Sequence, residues 1–362
     1  MDRICDKKDC TGCFACYNIC PKKAIEMKEE KLGHIYPEIN LDKCINCNLC
    51  KKICPSNKNF QLREPLKAYA MKSKDEEIRK NSTSGGAATV FALAIIEKGG
   101  IVYGANNIEN GKFNFIRINK KEKVEKIKGS KYVQCYINDM YIRAKEDLIS
   151  GVYVLFIGTP CQIAGLKSFL GKDYDKLITI DLICHGVPSQ RLLMNEIEEM
   201  VEDVNKVDKI LFRTQEKTGF NLNLYEDGKL KISKEMKESC YYKGFMRALF
   251  YRESCYTCKY ATQSRVSDIT IGDFWGLKEN SRFYKERSKG VSLILPLTEK
   301  GLKFIKECKK NMELEEREIM EAVYGNSQLR HSSNKPKKYN KFIKIYEKQG
   351  LKKAYLDRKS VV

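Results

Sequence analysis

Two stretches, CTGCFACYNICP at 10–21 and CINCNLCKKICP at 44–55, carry the spacing C-x2-C-x2-C-x3-C-P twice. Each of Cys10, Cys13, Cys16 and Cys20 lies 34 residues ahead of its counterpart among Cys44, Cys47, Cys50 and Cys54. Three closely spaced thiolates wrap one face of a compact iron–sulfide cube. The fourth, followed by Pro21 or Pro55, leads away toward the other cube. The spacing therefore predicts one 4Fe–4S cluster on Cys10, Cys13, Cys16 and Cys54, and a second on Cys44, Cys47, Cys50 and Cys20. Thr11, Gly12, Ala15 and Asn46 are small enough to let backbone N–H groups approach the sulfurs, which tunes potential. A zinc knuckle pairs two C-x2-C units around a longer loop and needs neither the third cysteine nor the proline.

The first sixty residues resemble a bacterial two-cluster ferredoxin domain. Sixteen cysteines in all exceed what that unit uses. The start, MDRICDKKDC, has no apolar run of the kind that directs export, so a reducing cytosol is expected, where clustered cysteines mean metal or redox chemistry rather than disulfides. The apolar stretch 85–96 is too short to span a bilayer. The net charge of +20 suits acidic partners. The chain shows no helix-turn-helix, zinc-finger spacing or aromatic RNA motif, so nucleic acid is not expected as a partner.

Beyond residue 60 the chain reads as a linker (61–80, with Pro65 and KSKDEEIRK) that also holds the first element of a second domain, and an α/β domain (81–300). A basic helical segment, 301–362, follows. In STSGGAATVFALAIIEKGGIVYGA, Ser82–Gly86 is a loop, 87–98 an apolar helix and 101–105 a buried strand. A Ser/Gly loop opening a helix leaves N–H groups free for a phosphate; close packing at a loop–helix junction is the more common reason for such glycines. GVYVLFIGTPCQIAGLKSFL gives strand 152–157, a turn, Cys161 and helix 162–170. LITIDLICHGVPS repeats the pattern, with strand 178–183 and then Cys184 and His185. Ligands of α/β sheets collect beyond the carboxyl ends of strands.

A hairpin is expected from Lys209–Arg213, Phe220–Tyr225 and Lys229–Ser233, turning at Asp227-Gly228. Cys255 and Cys258 form a C-x2-C pair, followed by strand 268–271, Asp273 and Trp275. Strand 291–295 and an amphipathic helix over 298–312 come next. The tail, 335–359, reads as a basic surface helix or a mobile segment. Spacing gathers Cys161, Cys184, Cys255 and Cys258 as a third tetrathiolate site, though a single zinc would suit the C-x2-C pair equally. Cys5, Cys135, Cys240 and Cys308 have no partners at ligand spacing and are expected as small buried or semi-buried residues.

In order, SGGAATVFALAIIEKGGIVYGA, KGSKYV, GTPCQIAGLKSFL, ICHGVPS, CYTCKYA and SDITIGDFWG resemble the beta subunit of coenzyme F420-reducing hydrogenase and its dehydrogenase relatives. The overall expectation is an α+β chain: a dicluster ferredoxin domain (1–60) ahead of an α/β domain with a mixed sheet. The resemblance implies a third 4Fe–4S cluster on Cys161, Cys184, Cys255 and Cys258. It also implies FAD held by Thr83, Ser84, Gly85 and Gly86 and by Gly129, Ser130, Lys131, Tyr132 and Val133. The implied activity is electron exchange between coenzyme F420, or another small hydride carrier, and one-electron partners such as an acidic ferredoxin or a redox enzyme. His185 is the weak catalytic candidate; Asp268 and Asp273 either line the flavin site or cap local turns. The hydrogenase subunits lack the N-terminal unit, and GDFWGL is closer to a bacterial branch associated with surface-polysaccharide pathways. The alternatives are therefore a ferredoxin-dependent reductase of an organic substrate and an electron-relay subunit.

Overall fold

The computed structural model describes residues 3–213 and 219–357. The N-terminal unit folds about its duplication. Its two short helices, Ala15–Ile19 and Leu49–Ile53, flank a hairpin of β1 (Ile25–Glu29) and β2 (Ile35–Ile39). The repeat persists in the backbone: Gly12 and Phe14 take left-handed φ values of 64°, and their counterparts Asn46 and Asn48 take 52° and 59°. Alternating left-handed residues curl each loop so that its N–H groups face one point, a geometry that suits an anion.

Eight strands form the main sheet in the order β13-β3-β12-β11-β7-β6-β4-β5. They are β3 (Ala68–Ser73), β4 (Ile101–Glu109), β5 (Lys112–Ile118), β6 (Val154–Gly158), β7 (Leu177–Leu182), β11 (Ile269–Asp273), β12 (Ser292–Pro296) and β13 (Met312–Arg317). The centre is parallel (β4, β6, β7, β11) and the flanks are antiparallel. Strands β6 and β12 are buried at every position because helices cover both faces, which is why they read as unbroken apolar runs. Phe91 and Phe304 meet on one face (ring centroids 5.5 Å), and Tyr141 meets Phe156 on the other (5.7 Å). A separate three-stranded antiparallel sheet comprises β8 (Val207–Leu211), β9 (Asn221–Glu226) and β10 (Lys229–Glu235). It turns between β9 and β10 at Asp227 and Gly228, both with positive φ.

Two boundaries differ from the sequence expectation. Segment 61–80 supplies the expected element as β3, paired to both β12 and β13, so the sheet starts ahead of residue 81. Segment 301–362 supplies the edge strand β13 to the same sheet. MELEER favours a helix on propensity, and pairing with β3 overrides it. The basic tail is docked: Tyr339–Leu356 is helical, broken at Gly350, and buries Tyr339, Phe342, Tyr346, Leu351 and Ala354. Residues 358 and 359 of the expected tail lie outside the described residues. Among those described, no helix is long and apolar enough to cross a membrane.

The ferredoxin unit packs against the rest through named contacts. Asn18 Nδ2 donates to Asn138 O (2.7 Å), Lys259 Nζ to Pro55 O (2.6 Å), and Ser168 Oγ to Ile53 O. Cys13 lies on the helix Pro160–Leu170, where a Cβ on Gly165 would come 3.2 Å from the Cys13 sulfur.

Candidate redox site

A pocket of about 360 Å3 is lined by Cys20, Cys44, Cys47 and Cys50. A second, of about 320 Å3, is lined by Cys10, Cys13, Cys16 and Cys54. In each, the fourth cysteine crosses over from the other copy of the motif. Ala24 N–H donates to the Cys20 sulfur at 3.2 Å. Backbone N–H groups of Gly12, Ala15 and Tyr17 act to lower the thiols of Cys10, Cys13 and Cys16. For Cys13 and Cys16 burial outweighs this and pushes the thiol up. The residues thus fit a thiolate-bound group that carries its own positive iron and accepts N–H···S bonds. Among the described residues no set of three or more His, Cys, Asp or Glu converges on one point to hold a lone ion.

Cys5 is half-buried, within the sequence expectation. It lines the pocket of the Cys10 set and hydrogen-bonds with Cys10 and Cys54, which push its thiol up. It lies beside sulfurs that already number four. Cys5→Ser should therefore keep the full iron content, about twelve per chain. Iron and acid-labile sulfide analysis checks this; loss of about four irons would make Cys5 a ligand.

Downstream, Cys161 follows the end of β6 as the second residue of helix Pro160–Leu170. Thr159 caps that helix together with Gln162, and its hydroxyl lies 3.2 Å from the Cys161 sulfur. Cys184 follows the end of β7, the neighbouring strand, while Cys255 ends a short 3-10 turn and Cys258 follows it. The four lie within range of one another's charge. Burial first, then Cys161 and Cys258, push Cys184 up to about 12. Burial, and then Cys184, Cys258 and Cys161, raise Cys255. Cys135 and Cys308 are also pushed up to about 12, by burial, with no thiolate among the causes.

Sequence reasoning missed Tyr260, whose side chain is buried with a hydroxyl that has no partner. Burial raises its phenol most; Cys161, Cys13, Cys258 and Cys54 raise it further. Cysteines of both the downstream set and the Cys10 set thus act on this hydroxyl, and an orphaned buried donor fits a bound acceptor. Nothing in the sequence marks it beyond its place two residues after Cys258.

The two segments expected at the flavin meet, with Ser130 Oγ donating to Thr83 Oγ1 at 3.2 Å. Ser84 Oγ is buried without a partner, an orphan that a ligand oxygen would satisfy. Gly86 takes φ 92° as the cap of helix Ala87–Glu97. Gly85 has a structural reason: a Cβ there would collide with Met71 O and Ser292 N. Gly129 takes φ 80°.

Backbone carbonyls engage Lys131. Its amine donates to Ile127 O (2.9 Å) and Lys128 O (2.7 Å), and burial lowers it to about 8. Val133 is buried in the core, and Tyr132 stacks on Phe245 with centroids 4.6 Å apart. Asp268 is structural, accepting from Thr179 N–H (2.9 Å) and Thr179 Oγ1 (2.6 Å). Asp273 pairs with Arg213 at 2.6 Å, and Arg213 lies over the exposed Trp275 ring. His185 is exposed beside Asp273, and its carbonyl accepts from Ser333 Oγ.

Residues 9–58 match the family described as 4Fe-4S dicluster domain. Residues 68–140 match the N-terminal part, and residues 152–322 the C-terminal part, of the family described as coenzyme F420 hydrogenase/dehydrogenase, beta subunit. An uncharacterized protein of Methanocaldococcus jannaschii is 24% identical over 317 residues, covering 75% of this chain and 82% of the relative. An uncharacterized ferredoxin of the same organism is 32% identical over 80 residues, 22% of this chain and 96% of its own length. In the F420-reducing NiFe hydrogenase complex from Methanosarcina barkeri, one chain aligns with a TM-score of 0.48 at 19% identity, covering 81% of this chain and 91% of that one.

Proposed function

We propose that this chain, which belongs to the coenzyme F420 hydrogenase/dehydrogenase beta-subunit family and carries a 4Fe-4S dicluster domain ahead of it, passes electrons between a hydride carrier and one-electron carriers. It is an iron–sulfur oxidoreductase. Coenzyme F420 is the favoured hydride carrier. FAD couples two-electron hydride transfer to the one-electron steps of iron–sulfur clusters.

The observation that carries this reading is the contact between the helix bearing Cys161 and Cys13 of the ferredoxin unit. Helix Pro160–Leu170 carries Cys161 at its start and rests against Cys13 one turn later. Cys13 belongs to the same unit as the Cys20/Cys44/Cys47/Cys50 pocket, whose rim reaches the surface at Cys47. Cys161, Cys184, Cys255 and Cys258 would hold the first group, next to the loop Thr83–Gly86 and the segment Gly129–Tyr132, which would hold FAD. The Arg213–Asp273 pair and Trp275 border the same strand ends and would orient a planar substrate.

The outer pocket is lined in part by exposed Lys22, Ile45 and Leu49, and exposed Leu41, Lys23, Lys43, Lys51 and Lys52 lie within three residues of its lining in the sequence. An apolar centre with a basic rim suits an acidic ferredoxin. That partner also accounts for part of the chain's net charge of +20.

The test is anaerobic. The purified protein should release flavin on denaturation and, with a low-potential donor, bleach the visible band of oxidised F420. Flavin without F420 turnover would shift the reading to a ferredoxin-dependent reductase of an organic substrate. Iron without flavin would leave an electron relay.

A further inference from the structure

We propose that Arg252 is a positioning residue for the group held by Cys10, Cys13, Cys16 and Cys54, and that its buried guanidinium raises that group's reduction potential. The inference rests on the cluster assignment proposed above. It concerns a residue that no motif singles out.

Arg252 is 0% exposed. Its Nε donates to Cys10 O at 2.6 Å, and its Nη2 donates to Ile35 O at 2.6 Å and faces the Cys10 sulfur at 3.6 Å. Nη1 donates to Gln134 Oε1 at 3.2 Å, and the guanidinium lies 4.3 Å from the centroid of the Tyr36 ring. Among the described residues these hydrogen bonds reach carbonyls, an amide and a sulfur, and none reaches a carboxylate. A buried cation without an anion is strongly disfavoured. Four thiolates around an iron–sulfide cube carry net negative charge, and that anion would stand where the guanidinium points.

The chain makes room for the contact. A Cβ on Gly12 would come 2.9 Å from Arg252 Cζ and 2.7 Å from Gln134 Nε2. The backbone of Arg252 also belongs to the downstream site. Its N–H donates to Val187 O (2.9 Å), and its carbonyl accepts from Cys255 N–H (2.9 Å). One residue therefore joins the loop carrying Cys184, the turn carrying Cys255 and the sulfur of Cys10. The lysines near the Cys44 set are exposed, so water and salt screen them. Arg252 is not screened, and its charge is felt at buried His34, which burial first and Arg252 second hold down to about 3.

Reduction adds one electron to the bound group; no bond forms or breaks and no proton is taken up. Only the added negative charge distinguishes the two states, and a fixed cation 3.6 Å from a ligand sulfur favours the reduced one.

The experiment is an EPR-monitored potentiometric titration of the anaerobic full chain, with dithionite and mediator dyes supplying electrons. In Arg252→Gln, the reduced-to-oxidised ratio of one cluster at fixed potential should fall at least tenfold, a shift of about 59 mV for one electron. The other clusters should hold their midpoints. Arg252→Lys should restore most of the shift. Gln134→Glu keeps the arginine but neutralises it, and should move the same midpoint in the same direction. Full iron content with unmoved midpoints in Arg252→Gln would overturn the inference. If Arg252→Gln loses iron, Gln134→Glu decides, and an unmoved midpoint or loss of iron there makes Arg252 a structural clasp only. A preparation of the unaltered chain without iron would instead sink the cluster assignment itself.

Discussion

Replacing Cys184 by serine should remove about four of about twelve irons per chain and abolish reduction of the N-terminal clusters by a hydride donor. Dithionite should still reduce them. The expectation follows from where the four downstream sulfurs come from. Cys161 and Cys184 sit beyond the ends of two neighbouring parallel strands, paired Gly158 to Asp181. Cys255 and Cys258 approach from a turn tied to Val187 through the Arg252 amide. A cube needs all four corners, and the cysteines that raise Cys184 through their charge, Cys161 and Cys258, belong to the set. Cys255→Ser and Cys258→Ser should behave alike. Cys135→Ala and Cys308→Ala are the controls: both thiols are buried, yet neither lies with the set, and both variants should keep every iron. Full iron in Cys184→Ser would remove the third site and with it any internal route from the flavin region to the ferredoxin unit.

The ligands were legible in the sequence because their spacing is local. A loop of seven residues must bring Cys10, Cys13 and Cys16 together whatever surrounds it, and its copy at 44–50 repeats even the left-handed turns. The strand ends carrying Cys161 and Cys184 were legible because short apolar runs between glycines and polar turns fold as strands when both faces are covered. What the residues alone did not reveal depends on docking between distant segments. Arg252 meets Cys10 across 242 positions of chain, and no local pattern says which of 67 Lys and Arg is driven inside. Cys5 has no ligand spacing because it acts through a hydrogen bond. Gly85 and Gly86 stand together in one loop, yet backbone crowding alone accounts for the first. The edge strand β13 escaped notice because its Glu-rich sequence takes its form from β3.

Arg265→Met should destabilise the protein by about 3–5 kcal/mol, the usual result of leaving one member of a buried ion pair alone. Arg265 and Asp181 are 1% and 0% exposed and 2.9 Å apart. The pair does more than neutralise itself. Arg265 also donates to Tyr260 O (2.8 Å) and Leu182 O (2.7 Å), while Thr270 Oγ1 donates to the same carboxylate oxygen at 2.7 Å. It thus ties the end of β7, three residues before Cys184, to the turn that carries Cys258. Denaturation of the anaerobic protein should show the loss, and the iron of the downstream site should leave before that of the ferredoxin unit. Combining Asp181→Leu with Arg265→Met separates charge from support. Removing both ions should recover most of the stability, since buried pairs replaced by apolar residues are often neutral. It should not restore the bonds to Tyr260 O and Leu182 O, so downstream iron should remain labile. If the double variant regains stability and holds its iron as firmly as the unaltered chain, the pair serves folding alone and the support it gives to Cys184 and Cys258 is dispensable.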